Sequence, residues 1–232
     1  MSTTTDTTTF DLAQGELRDL NAQLHEATGP RSWHIANPGG RHNIAAGLDA
    51  ELHVVIDGHA GYYCAGMNQL ATVHVNGNVG VGVAENMMSG RVEVHGDASQ
   101  SAAATAHGGL LVVDGSASAR CAISLKGADV VIRGSIGHMG AFMAQTGRLV
   151  VCGDAGDALG DSIYEADLYV RGTVAGLGAD CIEKELTSEK LSELKELLQA
   201  AGIDDVDASD FRLYGSAREL YTFNVDDAGD YR

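Results

Sequence analysis

The chain is short of the residues that hold phosphates. Against 32 Asp and Glu it has 15 Lys and Arg, a formal charge of −17. A nucleic-acid backbone is bound through clustered cations, so this balance argues against nucleic acid as a partner. The acidity itself serves solubility. Aromatic residues make up only 5% of the chain and there are two prolines, yet glycines number 30. The core must therefore be built from small aliphatic side chains. Proline is too scarce and the glycine period too strict for disorder, and the repeat is the wrong one for collagen. Cys64, Cys121, Cys152 and Cys181 form no Cys-x-x-Cys pair, which argues against metal ribbons and disulfide frameworks. No long apolar run occurs. The first residues, Met1–Thr9, have neither the basic nor the apolar part of a secretion signal. A disordered polar tail and a cytoplasmic protein are expected.

What is present is a ruler. Gly58, Gly77, Gly96, Gly115, Gly134, Gly153 and Gly172 recur every 19 residues without insertion. Each closes a short run rich in β-branched residues. Four and two residues before each glycine stand apolar pairs such as Val54/Ile56, Val73/Val75, Leu111/Val113 and Val130/Ile132. That alternation describes a strand with one face turned inward. The residue after each glycine is His59, Asn78, Asp97, Ser116, Ser135, Asp154 or Thr173, mostly turn formers. Two after come Ala60, Val79, Ala98, Ala117, Ile136, Ala155 and Val174, a second inward column. Ten after, Met87, Ala106, Leu125, Ala144, Ile163 and Ile182 make a third, from which Asn68 departs.

A fixed period of this length is a solenoid signature. The expected fold is all-β: a single-stranded parallel β-helix of about seven 19-residue coils with helical caps at both ends. The crossover rule makes it right-handed. Residues 1–50 should hold the tail, a short helix with Leu17, Leu20 and Leu24 on one face, and an irregular lead-in where Trp33 and Ile35 cover the first coil. Residues 51–183 form the β-helix. Residues 184–232 supply a helix over Leu191, Leu194, Leu197 and Leu198 that caps the last coil, then an acidic tail with Phe211, Tyr214, Leu220, Tyr221 and Phe223. That tail either wraps its own solenoid or docks on a partner.

The spacing also bears on the thiols. Cys64 and Cys121 share a column three coils apart, roughly 14 Å at the usual strand separation, too far for a disulfide. Four reduced thiols are expected. The six histidines within the repeat, His53, His59, His74, His95, His107 and His138, fall in six columns, so no metal site is expected from them. The glycine clusters do not match the Gly-x-Gly-x-x-Gly phosphate loop. A β-helix hydrolase would need stacked acids or bases on one outer face. The column Asp57, Asn76, His95, Asp114, Arg133, Cys152, Arg171 comes nearest and is mixed in sign. What stands out is a set of soft and aromatic residues at positions expected to face outward: Tyr63, Met67, Met88, Met139, Met143, Tyr164 and Leu177. Exposed Met and Tyr of this kind mark a protein interface.

Several of these segments also carry a family likeness. Gly58-His-Ala-Gly-Tyr-Tyr-Cys-Ala-Gly-Met-Asn68, Ala84-Glu-Asn-Met-Met-Ser-Gly90, Gly137-His-Met-Gly-Ala-Phe-Met-Ala-Gln145 and Val151-Cys-Gly-Asp-Ala-Gly156 resemble the glycine-repeat β-helix of the glutamate synthase large subunit. With its tail, the free-standing chain is most similar to the β-helix subunit of N-methylglutamate synthase and related complexes. The β-helix subunit of formylmethanofuran dehydrogenase is a more distant likeness. The resemblance implies a division of labour. A class II glutamine amidotransferase subunit handles the amide nitrogen, an FMN and iron–sulfur subunit performs the synthase step, and the β-helix joins them. This chain matches the joiner alone. No cysteine stands at its N-terminus, no cysteine cluster could hold iron–sulfur, and no strand–helix alternation could hold FMN. The resemblance thus implies no catalytic, cofactor or metal residues here. The alternatives are a β-helix subunit of a formyl-transferring complex and a stand-alone β-helix hydrolase or lyase.

Overall fold

The computed structural model describes residues 7–218. Strands β1 (Thr7–Asp11), β2 (Arg31–Ala36), β3 (Leu52–Asp57), β4 (Thr72–Val75), β5 (Arg91–Val94), β6 (Leu110–Val113), β7 (Lys126–Ile132), β8 (Thr146–Val151) and β9 (Asp167–Val170) pair in chain order as one parallel ladder. Val54 pairs with Val73, Val73 with Val92, Val92 with Leu111 and Leu111 with Val130. The expected all-β parallel solenoid is what the chain forms. Its inward columns stack with like on like: Val54, Val73, Val92, Leu111, Val130, Leu149 and Leu168 are fully buried. The second column runs as a line of single bridges from Ala60 through Val79, Ala98, Ala117, Ile136 and Ala155 to Val174.

The ruler glycines lie on adjacent rungs. The Gly115 N–H donates to Gly96 O at 3.0 Å, Gly134 to Gly115 at 2.9 Å, and Gly153 to Gly134 at 2.9 Å. From Gly77 onward space, not backbone angle, selects glycine; Gly58 alone among them has a positive φ, +138°. A Cβ on Gly77 would lie 2.7 Å from the carbonyl carbon of Gly58. The residues that follow do more than turn the chain. His59 Nδ1 accepts from Asn78 N–H at 2.8 Å, Asn78 Oδ1 from Asp97 N–H at 3.0 Å, and Asp97 Oδ1 from Ser116 N–H at 2.8 Å. Ser116, Ser135 and Asp154 continue the series to Thr173. Each side chain satisfies a main-chain donor one coil on.

The third side of each coil is made by left-handed backbone. Five, seven and nine residues after the ruler, Tyr63, Ala65, Met67, Ser101, Ala103, Thr105, Arg120, Ala122, Ser124, Met139, Ala141 and Met143 have φ between 51° and 61°. Such a conformation costs a non-glycine residue ~1–2 kcal/mol. Hydrogen bonding offsets the cost, because successive N–H groups reach coils on opposite sides. Ala84 N–H donates to Cys64 O at 3.0 Å, and Asn86 N–H to Ala104 O at 2.9 Å. The middle position points inward and is a buried alanine (Ala65, Ala84, Ala103, Ala122, Ala141). The outer two lean outward.

The ends differ from expectation. Thr7–Thr9, expected in a disordered tail, lie in β1, which pairs with β2. Residues 1–6 fall outside the described part. Trp33 and Ile35 cover the first coil, but as a further rung of the ladder and not as an irregular lead-in. They are inward positions of β2, in register with Val54 and Ile56. The cap is helix α1 (Leu17–Glu26), which buries Leu20 and Leu24 in the core. Asn21 Nδ2 donates to Asn43 O at 2.9 Å, and its Oδ1 accepts from Ala45 N–H at 3.1 Å. The side chain thus replaces the coil that would otherwise satisfy that rung.

Helix α2 (Ser188–Ala200), unlike α1, does not cap the end of the ladder. Thr187 Oγ1 accepts from Lys190 N–H, an N-cap that starts the helix. Leu194, Leu197 and Leu198 then pack sideways on Val112, Val131, Val150 and Tyr169, on the outward face of β6–β9. The ladder ends instead in β10 (Cys181–Lys184) and β11 (Arg212–Ser216). β11 runs antiparallel between β9 and β10. Phe211, Leu213 and Tyr214 are buried there, so this part of the tail wraps its own solenoid. Leu220, Tyr221 and Phe223 lie outside the described residues. In the third inward column, Asn68 holds its place fully buried, donating to Ala71 O at 2.8 Å, whereas Ile182 is exposed where the coils stop.

Candidate functional site

With the inward columns packed side chain to side chain, chemistry and recognition belong to the outside. The first candidate is the left-handed side. Met67 is 46% exposed, Met88 49%, Met143 43% and Tyr164 42%, as their columns predict. Met67 and Met143 occupy the same position four coils apart, roughly 19 Å at the usual strand spacing. Main-chain bonds seat Met88 one coil from Asn68 (2.8 Å) and Tyr164 one coil from Ala144 (2.9 Å). The patch is therefore two soft spots, one on the early coils and one on the late. Asn86, Thr105, His107, Ser124 and Lys126 lie between them. Met143 and Tyr164 share a shallow depression of about 440 Å³ with Ser124, Gln145, Thr146 and Glu165. Tyr63 and Met139 are only half-buried positions rather than free ones. The Tyr63 ring lies against Gly66, and its hydroxyl accepts from Asn86 Nδ2 at 3.4 Å. Leu177 is exposed at the end of the ladder. Tyr62 and Leu70 are also exposed, by 56% and 53%. Tyr62 stacks on His42 with ring centroids 4.4 Å apart.

The second candidate is the outward sheet face that α2 leaves uncovered. Histidines that share no column still meet here, contrary to expectation, because neighbours can also be diagonal. His53, His74 and His95 are 21 residues apart, one coil and two residues each time, and so run obliquely across β3–β5. Ring centroids are 5.0 Å apart for His53 and His74, and 6.1 Å for His74 and His95. Glu93 pairs with His74 across the ladder, and its Oε2 lies 2.6 Å from His74 Nδ1. One ligand-type atom from each of His74, Glu93 and His95 falls within 4.8 Å of the others. Burial pushes the His74 imidazole below its ordinary pKa, against the upward pull of Glu93. Arg91 bonds the other Glu93 oxygen and donates to Ala200 O at 2.8 Å.

Charged residues of the mixed column are each engaged. His95 meets Asp114 at 2.7 Å, Arg133 meets Asp205 at 2.8 Å, and Arg171 Nε donates to Cys152 O at 3.0 Å. A depression of about 890 Å³ beside the end of α2 gathers Lys195, Gln199, Asp204, Asp205 and Asp207, and adjoins the late end of that column through Asp205.

Across nearly its whole length the chain is similar to a curated protein, Protein GlxC of Rhizobium meliloti (strain 1021), with 57% identity over 225 residues, 96% of this chain and 99% of that protein. The chain belongs to the GlxC family. No protein-family model matches it.

In this GlxC-family chain the four cysteines are free and buried, as their columns require. Burial pushes the Cys64 and Cys121 thiols up to about 12, so neither is a nucleophile at neutral pH. Among the described residues, no helix is long and apolar enough to cross a membrane. The residues that the sequence reading missed, Glu93 with His74 and His95, had a signal of their own. It was a spacing of 21 on a ruler of 19.

Proposed function

We propose that the chain is the non-catalytic scaffold subunit of a glutamate-synthase-like amidotransferase/oxidoreductase complex, of the N-methylglutamate synthase type. In this reading it joins a class II glutamine amidotransferase subunit to an FMN and iron–sulfur subunit, and works in the cytoplasm. The observation that carries the proposal is the pair of exposed apolar spots, Met67 with Met88 and Met143 with Tyr164, on one side of a rigid ladder. Soft, unbranched Met and amphipathic Tyr are favourable contact residues. Three of the four lie inside the segments that carry the likeness to the glutamate synthase β-helix, and Tyr164 lies one coil beyond. Two separated anchors also suit a joiner better than a binder of one partner. Further support is that the charged residues of the outward column nearest to a hydrolase row are engaged, His95 with Asp114, Arg133 with Asp205 and Arg171 with the Cys152 carbonyl.

The experiment is recovery of the tagged chain from its own cells, followed by identification of co-purifying chains and a flavin absorbance scan. An amidotransferase-type chain and a flavin-bearing chain are expected with the wild type. Met67→Asp with Met143→Asp should reduce their recovery about tenfold or more, since each places an unpaired carboxylate where an apolar contact would be buried. Turnover of glutamine or glutamate by the isolated chain would refute the reading. So would co-purification of molybdenum or tungsten subunits, which would favour the formyl-transferring alternative.

A further inference from the structure

We propose that His74, Glu93 and His95 form a binding site for a first-row divalent metal ion of the zinc class, on the part of the sheet that α2 leaves open. The donor set is two imidazoles and one carboxylate, which suits Zn²⁺, Co²⁺, Ni²⁺ or Cu²⁺ and not the all-oxygen preference of Mg²⁺ or Ca²⁺.

The backbone supplies the rigidity. His74 is on β4, and Glu93 and His95 belong to the next coil. Their register is fixed by the pairs Val73 with Val92, His74 with Glu93 and Val75 with Val94. Ligand atoms already lie within 4.8 Å of one another. Donors on one tetrahedral ion with bonds of ~2.0–2.2 Å stand about 3.3–3.6 Å apart. An ion would therefore open the 2.6 Å contact of His74 with Glu93 and ask the widest separation to shorten by at most about 1.5 Å, movements that side-chain torsions provide.

The surroundings are arranged as those of a metal site are. Glu93 divides its two oxygens: Arg91 holds Oε1 and Oε2 faces His74. Arg91 is itself tied to Ala200 O, so it positions the carboxylate rather than competing for the metal-facing oxygen. Asp114 lies 2.7 Å from His95 Nδ1 and leaves Nε2 as that ring's free nitrogen, the carboxylate–histidine arrangement that orients a ligand imidazole. His53, with its ring 5.0 Å from that of His74, stands beside the group. Side-chain exposures of 22% for His74, 18% for Glu93 and 45% for His95 leave a coordination position open to solvent. A cation there would staple adjacent coils beside the point where α2 begins to cover the sheet.

The test uses the full chain without a histidine tag, titrated with Zn²⁺ calorimetrically and with Co²⁺ by visible absorption. One ion per chain is expected, with a Co²⁺ ligand-field band that Zn²⁺ abolishes. His74→Ala and His95→Ala should each weaken Zn²⁺ binding about 100-fold, at the top of the range found for losing even an outer partner. Glu93→Gln preserves the side chain's size and should also weaken it. Asp114→Asn should produce a smaller loss. His138→Ala, an exposed histidine on another side of the coil, should bind as the wild type does. Equal binding by wild type and Glu93→Gln would overturn the site, as would a loss in His138→Ala as large as in His74→Ala. Absence of a ligand-field band in the wild type would do so too.

Discussion

A methyl group at Gly115 would collide with Asp97 Oδ1 and stand 2.7 Å from the Gly96 carbonyl oxygen. Neither atom can yield without loosening the hydrogen bond that joins two coils, so Gly115→Ala should destabilise the fold by about 3 kcal/mol or more. Gly202 is the contrast. Nothing lies within 4 Å of its missing Cβ, and its φ is +72°, so Gly202→Ala should cost only the left-handed strain of about 1 kcal/mol. Urea midpoints of the two variants would separate crowding from backbone strain, and equal shifts would contradict the stacking of the coils. The residue types of the column beside the glycines describe turn formers. Its deeper role, accepting a main-chain N–H from the next coil, depends on which way each short side chain leans. Composition does not carry that. Asp154 shows the consequence: the hydroxyl and N–H of Thr173 hold its carboxyl below the usual range.

Among the elements, α2 is the one whose place was hidden. Its leucine spacing is clear in the sequence, but a stripe of leucines says that a helix packs, not on what. The answer lay in another column. Three residues before each ruler glycine the series runs Val55, His74, Glu93, Val112, Val131, Val150, Tyr169, largely polar on the early coils and apolar on the late ones. The apolar half is the landing surface for Leu194, Leu197 and Leu198, and the polar half is left for the His–Glu group. The same holds at the other end, where α1 needed Asn21 as well as leucines to close an open rung. Because Leu194 is fully buried against the sheet, Leu194→Ala should leave a cavity and cost about 2–5 kcal/mol. Hydrogen exchange should then quicken in α2 and leave the β3–β5 amides protected. Loss of protection throughout the ladder would mean that the helix is part of the solenoid's core and not an addition to its flank.

For the whole molecule, the period of 19 determined almost everything about the ladder, because one coil's pattern repeated in register leaves the chain little choice. Exposure along the left-handed side was legible only in part. Met67, Met88, Met143 and Tyr164 are out, but Met139 is half-buried and Tyr63 lies back against Gly66, a contact that the sequence does not describe. The molecule that results is a stiff rod with a packed inside, a helix along one flank and soft side chains on another face. Such a body is suited to holding two others at a fixed separation. Native mass spectrometry of this chain mixed with separately made amidotransferase and flavin subunits tests that most directly. An assembly containing all three is expected, and two unassembled subunits when this chain is left out. Amidotransferase and flavin subunits that associate fully without it would contradict the account.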